Sequence, residues 1–95
     1  MKLRLTVLFY SERSLQKEKK EKLIHGDDYE LPLNEFSKRI CYFYNVDAIY
    51  SCELDENYSC LVSGGQVFMV CMSIDKLEKR VDKAKLESLL SYSIQ

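Results

Sequence analysis

Two adjacent glycines, Gly64 and Gly65, separate runs of strand-forming residues, Tyr58 to Ser63 before them and Gln66 to Met72 after. Such a pair takes the positive-φ backbone of a tight two-residue turn without a Cβ penalty, so the chain reverses there as a β-hairpin. A phosphate-binding loop is excluded, because a helix rather than a strand would have to follow the glycines. With both glycines in the loop, Ser63 pairs with Gln66, Val62 with Val67 and Cys60 with Met69.

A third run, from Ala48 to Leu54, precedes Asp55-Glu56-Asn57 and extends the hairpin to a three-stranded antiparallel meander. Treating Asp55 to Asn57 as a three-residue loop sets Leu54 opposite Tyr58, Cys52 opposite Cys60 and Tyr50 opposite Val62. Ala48, Tyr50, Cys52, Leu54, Tyr58, Cys60, Val62, Val67, Met69 and Cys71 then share a nearly apolar face, the expected core. The reverse face is polar at one edge and apolar along the last strand, through Phe68, Val70 and Met72. That last strand is therefore expected to be covered on both sides.

At the start of the chain, Leu3, Leu5, Val7 and Phe9 alternate with Arg4, Thr6, Leu8 and Tyr10, which predicts a strand over Lys2 to Tyr10. From Ser11 to Lys22 the composition turns to Glu, Lys, Arg, Ser and Gln with Leu15 as the one aliphatic. This is a solvated excursion whose mixed charges also suit a short helix held by neighbouring ion pairs. Leu23 and Ile24 follow as a short second strand, and His25-Gly26-Asp27-Asp28 as a turn. Leu33, Phe36, Ile40, Phe43 and Tyr44 recur at three-and-four spacing, which predicts a helix from Leu33 to Asn45 with Asn45 as its stop.

A C-terminal helix over 73–95, capped by Ser73 or Asp75 and regular to about Ser91, carries two stripes. Ile74, Leu77, Val81 and Ala84 form one, while Leu86, Leu89 and Leu90 lie on a face turned well away from it. The two halves want different neighbours, so the leucine face calls for a bend, an external partner or a second copy of the chain.

The expected class is α+β: a small mixed sheet, made of the N-terminal strand and the meander, with one helix on the core face and a C-terminal helix. The order of elements is compatible with a β-grasp arrangement. At 95 residues the chain has room for one core and not two, so residues 1–95 are read as a single domain. Met1 to Tyr10 is charged at Lys2 and Arg4 but alternates in character, which suits a strand and not a signal peptide's apolar centre, and no window approaches eighteen apolar residues. A soluble, cytoplasmic protein without membrane association is the expectation.

Cys41, Cys52, Cys60 and Cys71 contain no CxxC pair, and His25 is the one histidine, so neither zinc nor another cofactor is expected. The thiols read as small buried hydrophobes in a reducing compartment. His25 with Asp27 and Asp28 is the one place where a base and carboxylates coincide, but a polar turn accounts for it. No catalytic residue is assigned, and the chain is not expected to be an enzyme. The seven tyrosines and the lysines of 17–22 suit stacking on nucleic acid, yet Glu12, Glu18 and Glu21 dilute the basic field there.

The net charge of −1 conceals a local sum of −4 at Asp47, Glu53, Asp55 and Glu56. This acidic hairpin is suited to steer a partner with a basic surface. The expected function is a non-catalytic protein-interaction module, regulatory or inhibitory, that docks through Asp47, Glu53, Asp55 and Glu56 or through Leu86, Leu89 and Leu90. Homo-oligomerisation through the leucine face is the variant of this reading. A small nucleic-acid or nucleotide-binding module is the alternative.

Overall fold

The computed structural model describes residues 1 to 94, with side chains through residue 90. Its elements are β1 (Leu3–Phe9), α1 (Glu12–His25), a single 3₁₀ turn (Leu33–Glu35), β2 (Ser37–Phe43), β3 (Ala48–Ser51), β4 (Ser59–Ser63), β5 (Gln66–Val70) and α2 (Ile74–Ile94). The strands form one sheet in the order β2-β1-β5-β4-β3. Every strand pairing among the described residues is antiparallel, so the class is α+β and the sheet is antiparallel rather than mixed.

Gly64 and Gly65 have φ of +58° and +77°, and the β4–β5 hairpin has the predicted register, with Ser63 opposite Gln66 and Cys60 opposite Met69. The β3–β4 register is displaced by two residues, Tyr50 facing Cys60 and Ala48 facing Val62. The connection is longer than three residues because Asp55 folds it inward. Its carboxylate accepts from Asn57 N at 2.9 Å, and its carbonyl accepts from Tyr58 N at 3.2 Å.

The largest departure is β2. The helix expected over Leu33 to Asn45 is one 3₁₀ turn followed by a seven-residue strand paired along its whole length with β1, from Leu3↔Phe43 to Phe9↔Ser37. Ile40 to Tyr44 are apolar without a break, and Ile40, Tyr42 and Phe43 are strong strand formers, so pairing with β1 decides the outcome. The core-face helix of a β-grasp arrangement is therefore absent, and the covering helix is α2.

Leu23 and Ile24 are not a strand either. They close α1, a helix capped by Ser11, whose hydroxyl accepts from Ser14 N at 3.2 Å. An i,i+4 ion pair, Glu18–Lys22 at 3.3 Å, and an i,i+4 contact of His25 Nε2 with Glu21 at 3.2 Å line this helix. Gly26, at φ +100°, ends it. Ser14 is buried at its base and Lys17 pairs with Glu35, while Leu23 and Ile24 stay exposed at its far end. The radius of gyration, 16.4 Å, exceeds the roughly 12 Å of a compact chain this long.

The sheet is curled. Strands at its opposite edges, β2 and β3, are joined by residues 44–47 alone, whereas a flat sheet would separate them by about 19 Å. Phe43 of β2 meets Phe68 of β5 edge to face with ring centroids 4.9 Å apart. The β2–β1 ladder and the β5–β4–β3 ladder join at one pair, Val7↔Val70, beside a bond from Cys71 N to Thr6 O of 2.9 Å.

Inside the curl, Leu3, Leu5, Val7, Phe43, Leu61 and Val70 meet Leu77, Val81 and Ala84 of α2. The meander thus turns its Ile49, Leu61, Phe68 and Val70 face to the core, the opposite of the face expected from the sequence. Ser59 enters this core because its hydroxyl donates to Met72 O at 2.8 Å. The α2 stripe of Leu77, Val81 and Ala84 buries as expected. The helix runs to Ile94, and the residue 95 end of the expected segment lies outside the described residues.

Candidate protein interface

The four acidic residues expected to act together are divided between two ends of β3. Asp47 precedes the strand and is occupied in holding the fold: Oδ1 accepts from Asn45 Nδ2 at 2.9 Å and Oδ2 from Gly64 N at 3.0 Å. Its own N donates to Val62 O at 2.8 Å, so the β2–β3 link is latched to the glycine turn. Glu53, Asp55 and Glu56 lie beyond the other end, where Leu54 and Asp55 share a cleft with Leu31, Pro32 and Leu33. Glu53 and Glu56 are exposed, while Asp55 is committed to its own turn. The −4 patch is therefore an acidic loop of three residues plus a separate structural aspartate.

Leu86, Leu89 and Leu90 are exposed, past the stretch where Leu77, Val81 and Ala84 are buried. The two halves of α2 do meet different surroundings. The amino terminus of Met1 reaches this distal half, donating to Ser88 Oγ at 3.4 Å. His25, Asp27 and Asp28 form no joint site. His25 pairs back with Glu21 and stacks on Tyr29 with centroids 5.5 Å apart, and Asp27 and Asp28 are exposed in the following turn. Among the described residues no three His, Cys, Asp or Glu side chains converge as metal ligands, and no helix is long and apolar enough to cross a membrane.

On the outer face of the meander, Cys52 and Cys60 are buried and Tyr50 is half exposed. Burial, then the neighbouring Cys52, raises the Cys60 thiol above its ordinary range, while the Tyr50 hydroxyl pulls it partly back. Burial likewise raises Cys71, against the opposing influence of Lys38. A thiol whose folded pKa is raised keeps its proton after the unfolded chain has lost its own, so stability declines as pH rises from the ordinary thiol range through the folded value. A brief iodoacetamide pulse at pH 8, read by mass spectrometry, should leave Cys52 and Cys60 unmodified in the folded protein and label all four cysteines in urea. Labelling of Cys60 at equal rates in both states contradicts its burial.

The surface that sequence reasoning missed is β2. It is an edge strand, and no strand lies beyond it among the described residues. Cys41 and Phe43 turn inward, whereas Ile40, Tyr42 and the following Tyr44 are 50%, 50% and 67% exposed. Pairing places Arg4 beside Tyr42, Thr6 beside Ile40 and Leu8 beside Lys38 on the outer face. Lys2 Nζ stands 5.0 Å over the Tyr42 ring. Lys2 and Arg4 also border a groove against α2, with Arg80, Lys83 and Glu87, four cations to one carboxylate. Arg80 Nη2 donates to Arg4 O at 2.9 Å and fixes one of those cations in place. The alternation of Ile40, Tyr42 and Tyr44 is visible in the sequence and was the signal for this face. The chain matches no protein-family model, no curated protein and no solved structure in comparisons with each.

Proposed function

We propose that the chain is a non-catalytic protein-interaction module, of the regulatory or inhibitory kind, whose docking surface is the β2 edge. The observation that carries this reading is a seven-residue edge strand with Ile40, Tyr42 and Tyr44 exposed in a row. An unpaired strand edge offers backbone donors and acceptors to an added strand, and alternate side chains supply selectivity. The acidic loop and the Leu86, Leu89 and Leu90 face are secondary surfaces in this reading.

A photoreactive phenylalanine analogue placed at position 42 tests it. Irradiation in extract of the native host is expected to give covalent polypeptide adducts that are absent with the same label at exposed Glu78. The Ile40→Asp variant of the labelled protein, with an unchanged melting temperature, should lose them. Absence of polypeptide adducts from position 42 overturns the reading. The cations and tyrosines of the same face favour nucleic acid as a second reading, and adducts digestible by nuclease would select it.

A further inference from the structure

We infer that the occupant of the β2 edge is an extended, acidic segment of another polypeptide, added as a sixth strand. This rests on the docking surface proposed above and names the chemistry of its partner.

Three observations carry it. The outer face of the β2–β1 ladder holds Lys2, Arg4 and Lys38, and all three are exposed. The side chains paired with one another there, Arg4 with Tyr42, Thr6 with Ile40 and Leu8 with Lys38, include no carboxylate. The apolar members, Ile40 and Tyr42, alternate along the strand as pockets for every second residue of an added strand require. A ligand with carboxylates interleaved among apolar side chains matches both properties.

The charge pattern also argues against a second copy. Pairing β2 with another β2 would place Lys38 of each copy on neighbouring strands and gather both sets of Lys2 and Arg4 on the same continuous face, and like charges across neighbouring strands are destabilising. The other edge, β3, is four residues long and ends in the acidic loop carrying Glu53 and Glu56. An acidic strand is repelled there, so the charge distribution selects one edge of the sheet.

The test is a titration of isotopically labelled full-length protein with an acetylated, amidated nonapeptide of alternating Val and Glu, followed by amide spectra. Amides of Ser37 to Phe43 are expected to shift and to gain protection from exchange. Affinity should fall about tenfold or more between about 50 mM and about 500 mM salt, as exposed charges are screened. It should fall by a similar factor in the Arg4→Glu, Lys38→Glu double variant. The Val and Lys peptide, and a Val and Glu peptide with a central proline, should leave the spectrum unchanged at equal concentration.

No shift with millimolar Val and Glu peptide, or equal binding of the Lys peptide, overturns the inference. So do shifts confined to residues 53–57, or a stronger response of the β2 amides to a thymidine decamer. A dimer in sedimentation that Ile40→Asp dissociates makes a second copy the occupant and overturns it too. Polypeptide adducts from position 42 would survive each of the peptide results, so failure of the acidic-strand inference is separable from failure of the interaction reading.

Discussion

A chain ending at Ser73 is expected to show no cooperative unfolding transition. Removing α2 strips Leu77, Val81 and Ala84 from the curled sheet and uncovers Leu3, Leu5, Val7, Leu61 and Val70, all nearly inaccessible in the full chain. Burial of one Leu or Val side chain stabilises by about 1.5–3 kcal/mol. Loss of two such side chains, one alanine and the cover over five sheet residues reaches the whole of a small domain's stability, roughly 5–15 kcal/mol. Thermal melting by far-ultraviolet circular dichroism, with dye binding to report exposed apolar surface, decides the matter. A sharp melt within about 10 °C of the full chain, worth only about 1–2 kcal/mol at this size, would show that the sheet holds its own core.

Replacement of Leu61 by alanine is expected to cost about 2–5 kcal/mol, because Leu61 is wholly inaccessible at the centre of β4 and its removal leaves a cavity between sheet and α2. For a chain of this size each kcal/mol lowers the melting temperature by about 4–8 °C. The informative comparison is Val67→Ala on the outer face, where 59% exposure predicts a change within about 0.5 kcal/mol. Urea denaturation of both variants measures the difference. If Val67→Ala were the more costly, the outer face would be the core and the packing against α2 wrong.

The reversal of faces in the meander shows which physical information the sequence lacked. Both faces of Ala48 to Met72 contain enough apolar residues to serve, and alternation reports that two faces exist without saying which is covered. The choice falls to α2, whose Leu77, Val81 and Ala84 fit against Leu61 and Val70, and the other face, with Tyr50 half exposed, lies outside that cluster.

Local signals with one solution were legible. Gly64-Gly65 set the β4–β5 register and Leu3 to Phe9 set β1, because turn geometry and a two-residue period need no distant partner. The unbroken apolar run Ile40 to Tyr44 suited a strand as well as a helix, and pairing with β1, 28 to 40 positions away, decided between them. The candidate interface was illegible for the same reason, since a helical stripe would bury the Ile40 that the edge strand exposes. In the acidic hairpin, Asp47 and Asp55 have the composition of a docking patch but serve the turns that they close.

The placement of β1 has a consequence for synthesis. The strand is made well before its cover: Arg80, which bonds to the Arg4 carbonyl, follows it by 76 positions, and Ser88 follows Met1 by 87. At about 5–20 residues per second the ribosome adds 76 residues in roughly 4–15 s. Once β2 has been made, Leu3, Leu5 and Val7 have a strand to pair with, but until the end of that interval they lack Leu77, Val81 and Ala84 of α2. For those seconds the growing chain carries an apolar ladder whose helical cover does not yet exist.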